Sequence, residues 1–234
     1  MSEPTLDIFV IFHKKLFPEM YEELDEDEFK CLKFIAVNEE MEKEPWDETI
    51  FPNVIKEWEL PVYHPEWQKN NWMNGGVNHH IVLNKLSSAD YMGFMQYDMR
   101  FPKGSVKRLK SMLAPKVGVS IRTMDFHFLM GTSTYGFSEM SLYNYALTQL
   151  PPFKSQKFPL FHNCFMKREH YEAIMPKVLE IDNLLYKFHN RPGDPIYRFP
   201  ITTERTLALA IATVVDDVLE FKEISHEKLI HLGS

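Results

Sequence analysis

Cysteine is scarce in this sequence, and long apolar runs are missing. Only Cys31 and Cys164 occur among the 234 residues, far apart in the chain, so we expect no disulfide framework and take a reducing compartment as the simpler assumption. No spacing of Cys and His matches a zinc site. No apolar stretch approaches the roughly 20 residues that a transmembrane helix needs. We therefore expect a soluble, cytoplasmic protein without a transmembrane segment.

An excess of positive charge is also missing. The 26 Lys and Arg residues are outnumbered by 33 Asp and Glu residues, which gives a net charge of −7. This balance argues against a nucleic-acid-binding protein, and any anionic ligand would need a local basic cluster. The opening residues lack the basic and apolar regions of a secretory signal. The length fits a single domain over residues 1–232, and we interpret residues 233–234 as an expression scar.

Two apolar runs near the start of the chain predict buried strands. Residues 6–12 and 32–37 are nearly continuous in apolar side chains, as in strands that are covered on both faces. The chain between them is long enough for a crossover, which favours a βαβ unit. His13 and Lys14 follow the first run, and Asn38 follows the second. No Gly-x-Gly-x-x-Gly motif follows the first run, which disfavours a nicotinamide-binding domain.

A third apolar run, residues 90–101, carries Asp98 and Arg100 near its carboxyl end. Open α/β sheets bind their ligands at the carboxyl ends of strands. A lone carboxylate at such a place suits Mn²⁺ or Mg²⁺, which prefer oxygen ligands and commonly bridge to phosphate oxygens. The same pattern fits a surface Asp that starts a turn before Pro102, so both interpretations stay open.

Residues 74–86 predict a helix that begins with a glycine pair. Gly75 and Gly76 would let a phosphate or a sugar approach the backbone closely, or they form a turn without a ligand. His79 and His80 are adjacent and face different directions on a helix. We therefore expect one of the two imidazoles to be buried and the other exposed.

Polar residues interrupt two later predicted elements. His162 and Asn163 lie within a predicted strand at residues 160–166, where each needs a partner, either a ligand or another core group. Thr202 or Thr203 is predicted to cap a helix that places Glu204 in its first turn, a purely structural explanation for that acid. The remaining predictions are helices at 105–113, 139–147 and 168–188, strands at 117–124 and 125–130, irregular chain at 46–67, a solvated acidic stretch at 18–28, and a tail at 214–232 with no assignable role.

Four segments, in this order, resemble the sugar-transferring proteins of capsular-polysaccharide synthesis, a GT-A-type glycosyltransferase group. Compact virus-encoded glycosyltransferases are similar in size and strand order. The four segments are the first strand with His13-Lys14, Tyr91-Met92-Gly93-Phe94-Met95-Gln96-Tyr97, His162-Asn163-Cys164-Phe165-Met166-Lys167-Arg168-Glu169, and Ile201-Thr202-Thr203-Glu204-Arg205-Thr206-Leu207. The chain departs from the group at Gln96-Tyr97-Asp98, where the group has His-Tyr-Arg.

This resemblance implies an α/β fold, a single GT-A-like domain related to the Rossmann fold, with a mixed, mostly parallel central sheet flanked by helices. It implies transfer from a nucleotide-sugar donor, with UDP as the nucleotide, to a glycan or glycoprotein acceptor, in the host cytoplasm if the protein is virus-encoded. Asp98 would hold Mn²⁺ or Mg²⁺, and Glu204 and Arg205 would be catalytic. The residues implied for donor binding are Phe12, His13, Lys14, Asn38, Gly75, Gly76, Tyr97, Arg100, His162 and Asn163. The alternative is a non-catalytic carbohydrate- or nucleotide-binding module.

Overall fold

A seven-stranded sheet forms the centre of the fold in the computed structural model. The structure describes residues 3–37, 39–43, 46–69, 72–126, 144–189 and 199–226. The strands are β1 (Leu6–Phe12), β2 (Leu32–Ala36), β3 (Ile55–Lys56), β4 (Tyr91–Gln96), β5 (Met99–Arg100), β6 (Val117–Ser120), β7 (Thr123–Asp125), β8 (Lys157–Pro159), β9 (Phe165–Lys167), β10 (Asp217–Glu220) and β11 (Ser225–His226). The helices are α1 (Glu26–Phe29), α2 (Pro65–Lys69), α3 (Asn74–Leu83), α4 (Ser105–Met112), α5 (Arg168–His189) and α6 (Phe199–Val214).

The strand order of the central sheet is β10-β6-β9-β4-β1-β2-β3. Six of these strands run parallel, and β9 runs antiparallel between β4 and β6. In the central pair, Ile11 of β1 lies opposite Gln96 of β4, so both strands end at the same level. The prediction of a mixed, mostly parallel sheet flanked by helices is confirmed.

Strand β1 is apolar throughout because both of its faces are covered. Successive side chains of a strand point to opposite faces. Ile8, Val10 and Phe12 pack on one side with α4, whereas Phe9 and Ile11 pack on the other side with α3, α5 and α6. The predicted bounds of β1 match those observed. No helix in the described residues is both long enough and apolar enough to cross a membrane.

Several predicted elements are wrong in type or extent. The segment predicted as a strand at 160–166 is mostly a turn, because Phe161 and His162 both have a left-handed φ of +59°, and β9 begins only at Phe165. Helix α6 begins no later than Phe199, so Thr202 and Thr203 lie inside it and cap nothing. The tail at 214–232 contributes the edge strand β10, and the irregular stretch at 46–67 contributes β3 and a 3-10 turn at Glu57–Glu59.

Other predictions are only partly correct. The strand predicted at 117–124 is two strands, because the chain turns between β6 and β7. Helix α5 matches its predicted span, whereas the helix predicted at 139–147 is observed over 144–149 and its earlier residues lie outside the described ones. Residues 127–130 of the strand predicted at 125–130 also lie outside the described residues. The acidic stretch at 18–28 is not wholly solvated, because the buried Glu28 carboxylate accepts backbone N–H bonds from Gly104 and Val106, each 3.0 Å long, at the start of α4.

Candidate active site

The sheet reverses its direction of growth between β1 and β4. Strands β2 and β3 extend the sheet on one side of β1, and β4 begins its other half. In open α/β sheets the crevice at such a switch point, at the carboxyl ends of the strands, is where ligands bind. His13 follows β1 and Asp98 follows β4, each two residues beyond the paired Ile11 and Gln96. Two of the predicted site residues therefore lie where such a crevice is expected.

Aromatic side chains pack against His13 and hold Tyr97, the residue before Asp98. The imidazole of His13 and the ring of Tyr97 meet edge to face, with centroids 5.3 Å apart. The hydroxyl of Tyr21 donates a hydrogen bond of 3.0 Å to the carbonyl oxygen of Tyr97. Burial lowers the pKa of His13, as does the neighbouring charge of Lys14, while the charge of Asp98 opposes them. His13 is therefore a neutral imidazole at pH 7 that faces a half-buried carboxylate.

Asp98 offers one carboxylate to a divalent cation. The described part of the chain contains no cluster of three or more His, Cys, Asp or Glu side chains that could hold a metal ion. A single protein carboxylate completed by substrate phosphates is a common way to bind Mg²⁺. The residues at the crevice thus fit a cation that binds together with a phosphorylated ligand, and they do not form a metal site by themselves.

The other residues predicted around the first strand differ in their surroundings. Lys14 is exposed beside His13, whereas Phe12 is fully buried and packs edge to face on Trp46 at 5.7 Å. Arg100 donates a hydrogen bond of 2.6 Å to the carboxylate of Glu23. Asn38 lies outside the described residues. Of this group, Lys14 has the side chain most accessible to an anion.

The glycine pair of α3 faces protein. A Cβ atom on Gly75 would lie 2.6 Å from the hydroxyl oxygen of Thr203 on α6. A Cβ atom on Gly76 would lie 3.3 Å from the Cβ atoms of both Trp67 and Trp72. Both glycines are buried. The close approach that they allow is therefore that of α3 to α6 and to the tryptophan pair, and their predicted contact with a donor stays a prediction.

His79 and His80 are both buried, so the expectation of one exposed imidazole is wrong. His79 lies 3.1 Å from the carboxylate of Asp182 on α5, and His80 Nδ1 lies 2.7 Å from the carboxylate of Glu57. His80 Nε2 accepts the backbone N–H of His64 at 2.9 Å, so Nδ1 carries the proton that is donated to Glu57. Protein covers α3 on opposite sides, and each histidine meets a buried carboxylate.

Replacing His80 with alanine is expected to destabilise the protein by about 3–5 kcal/mol. The Glu57 carboxylate is fully buried, and losing a partner leaves a buried charge poorly compensated. The measurement is the urea midpoint at pH 7. His170→Ala is the control, because its exposed imidazole makes a hydrogen bond of 2.8 Å to the carbonyl oxygen of Pro115. Losing this hydrogen bond should cost about 1 kcal/mol of stability. Equal midpoints for the two variants would contradict the assigned role of the Glu57 pair.

The turn before β9 brings His162 and Asn163 to the carboxyl edge of the parallel strands, since β9 runs antiparallel. His162 is buried, its Nε2 lies 3.5 Å from the hydroxyl of Thr203, and burial lowers its pKa to about 3. The carboxamide nitrogen of Asn163 can face the carbonyl oxygens of Phe94 and Phe161, each at 3.2 Å. Both side chains are directed into the protein, where they hold the turn.

Glu204 is hydrogen-bonded to the turn that precedes β9. Its half-buried carboxylate accepts a hydrogen bond from the backbone N–H of Phe161. Burial raises the pKa of Glu204, although this bond and the charge of Arg205 oppose the shift. Since α6 starts by Phe199, Glu204 is not in the first helical turn, and the capping explanation for it is wrong. Glu204 is therefore a carboxylate of increased basicity next to the turn before β9. The adjacent Arg205 is buried.

A groove of about 530 Å³ runs along the carboxyl edge between β4 and β10. Arg122 follows β6 and Lys222 follows β10, and neither was predicted as a site residue. Both residues would have been found by searching for polar side chains just after each strand. The predicted strand at 117–124 extended beyond Arg122, however, and β10 was not predicted. The described residues that line the groove are Gln96, Met99, Ile121, Arg122, Phe161, Lys222, Ile224 and Ser225.

Comparison with known proteins supports the architecture. No protein-family model matches the chain, and no curated protein matches it. Among solved structures it is similar to the apo form of WbbM, a bifunctional glycosyltransferase, with a TM-score of 0.57 and 10% sequence identity. The match covers 94% of this chain and 45% of that protein. The chain has a GT-A-like fold. At this identity the likeness concerns the fold alone, and the chain spans less than half the length of the protein that it matches.

Proposed function

We propose that this protein is a glycosyltransferase that moves a sugar from a nucleotide-sugar donor to a glycan or glycoprotein acceptor. The observation that supports this most strongly is that neighbours of both acids, Asp98 and Glu204, line one groove. Gln96 and Met99, on either side of the turn that contains Asp98, line one wall, and Phe161, which is bonded to Glu204, lines the groove as well. A candidate donor-binding acid and a candidate base at the same sheet edge are what an inverting sugar transfer between two bound substrates would use.

The donor diphosphate is proposed to bind at the crevice between β1 and β4. Lys14 offers a positive charge there, and the neutral imidazole of His13 can donate a hydrogen bond. Asp98 would hold Mn²⁺ or Mg²⁺, which when bound would neutralise charge on the departing nucleoside diphosphate. Arg100 and Arg205 are further candidates for this electrostatic role, and a UDP-sugar is the donor we would test first.

The acceptor hydroxyl is proposed to lose its proton to Glu204. In an inverting transfer the hydroxyl oxygen forms a bond to the anomeric carbon as the bond to the nucleoside diphosphate breaks, and a general base takes the proton. The basicity of Glu204 is increased by burial, which suits a general base that works near neutral pH. A retaining transfer requires no such base, so the role of Glu204 also tests the stereochemical outcome.

Asp98→Ala is expected to abolish donor turnover and its dependence on Mn²⁺ together. A screen of UDP-, GDP- and CMP-sugars for binding by calorimetry and for donor hydrolysis identifies the substrate of the wild-type protein. Asp90→Ala is a matched control, because Asp90 precedes β4, whereas Asp98 follows that strand, and it accepts hydrogen bonds of 3.0 and 2.8 Å from Thr5. This control should keep its turnover. Full activity of Asp98→Ala would remove the metal assignment, and sugar binding without a nucleotide requirement would favour a binding module.

A further inference from the structure

The groove presents an apolar wall with an aromatic ring at its edge. Met99, Ile121 and Ile224 supply aliphatic side chains, and Phe161 is 38% exposed. Phe161 also has a left-handed φ of +59°, a conformation that a bulky residue adopts only when its surroundings impose it. Strained residues of this kind are concentrated at ligand sites. The turn thus holds an exposed ring beside the groove, as pockets for organic ligands commonly do.

The charged side chains that line the groove are both cations, although the chain as a whole is acidic. Arg122 is exposed and makes no ion pair in the described part of the chain, and Lys222 lies 3.5 Å from the carboxylate of Glu220. None of the described residues that line the groove is acidic. The charge of Lys222 is partly offset by Glu220, which leaves Arg122 as the lining cation without an ion pair among the described residues. A planar guanidinium matches a carboxylate with two parallel hydrogen bonds. The groove therefore fits a ligand with one negative charge.

The position of Glu204 beside this groove bears on which of the two substrates would lie in it. A general base must reach the hydroxyl whose proton it removes. The carboxylate of Glu204 is held by the backbone N–H of Phe161, and the side chain of Phe161 lines the groove. We propose that the acceptor is an acidic glycan, and that a sugar ring carrying one carboxylate lies in the groove with a ring face on Phe161 and the carboxylate at Arg122 and Lys222. This inference rests on the proposed function and specifies its acceptor.

The experiment compares two glycosides that differ at one carbon. Methyl β-glucuronide carries a carboxylate where methyl β-glucoside carries a hydroxymethyl group, and saturation-transfer NMR titrations measure both without any nucleotide. Wild-type protein is expected to bind the glucuronide roughly three- to tenfold more tightly, with a preference that weakens in high salt. Arg122→Gln should remove most of this preference. Lys116→Gln is the matched control, because Lys116 is an exposed cation at the opposite end of β6, and it should keep the preference.

Three results would overturn the inference. They are equal binding of the two glycosides or no binding of either, a preference that survives Arg122→Gln, and tighter binding of methyl glucoside 6-phosphate than of the glucuronide. Circular dichroism verifies that Arg122→Gln is folded. Donor hydrolysis is measured on the same samples. Donor turnover without a charge preference would refute only the acidic acceptor, whereas a charge preference without turnover of any donor would refute the glycosyltransferase and leave an acid-binding groove.

Discussion

Glu204→Gln is expected to lower turnover by about 10²- to 10⁴-fold, the usual contribution of a general base. Glutamine keeps the shape of the side chain, and its carbonyl oxygen can still accept the Phe161 N–H, but it cannot take a proton. Donor affinity and melting temperature should therefore remain close to those of the wild type. Steady-state kinetics, donor calorimetry and thermal unfolding of the same preparation measure the three quantities.

The pH dependence of this variant separates a base from a packing residue. Burial raises the pKa of Glu204, so kcat/KM of the wild type should fall as the pH decreases through that raised pKa and the carboxylate becomes protonated. The glutamine variant should lack this acidic limb. Glu172→Gln is the control, because this partly exposed helical glutamate pairs with Arg168 and is remote from the groove lining. Unchanged turnover in Glu204→Gln, or a loss of turnover that matches a loss of stability, would contradict the assignment.

The fold could be predicted where burial dominates the residue pattern. Strands β1 and β4 are covered on both faces, so an unbroken apolar run defines them, and the polar residues that follow mark the carboxyl edge. Strand β10 lies at the sheet edge, with a partly exposed pattern, and it could not be recognised from such a run. Without β10 and the true end of β6, Lys222 and Arg122 could not be assigned to the same edge.

The buried polar pairs could not be predicted, because their partners are distant in sequence. His80 meets Glu57 from 23 residues away, and His79 meets Asp182 from 103 residues away. Helical geometry alone predicts that the adjacent side chains of His79 and His80 point in different directions. Only the folded structure shows that each imidazole meets a buried carboxylate. The contact between Glu204 and Phe161 could not be predicted for a similar reason. The left-handed turn at Phe161 comes from tertiary packing and not from local propensity.

The second large effect is expected for Gly93→Ala, which should destabilise the protein by about 3 kcal/mol or more. A Cβ atom on Gly93 would lie 2.2 Å from a ring carbon of Phe165 and 2.4 Å from the carbonyl oxygen of Cys164. Gly93 and Phe165 are directly paired across β4 and β9, and Phe165 is fully buried, so neither the ring nor the backbone has space to move away. A loss of this size corresponds to a fall in melting temperature of about 6–12 °C for a chain of this length.

Gly118→Ala tests whether the cost arises from this contact. Gly118 lies in β6, on the other side of β9, and its added Cβ atom would meet the sulfur of Cys164 at 3.2 Å and Val218 at 3.6 Å. A side-chain sulfur can shift slightly, and alanine is favoured over glycine inside a strand, so a change within about 1 kcal/mol is expected. Similar losses for both variants would mean that the sheet tolerates no added carbon near β9, and no loss for Gly93→Ala would refute the packing argument. Because β9 begins at the turn that holds Phe161, any folded Gly93→Ala protein should also lose turnover, as the displaced turn would no longer hold Glu204.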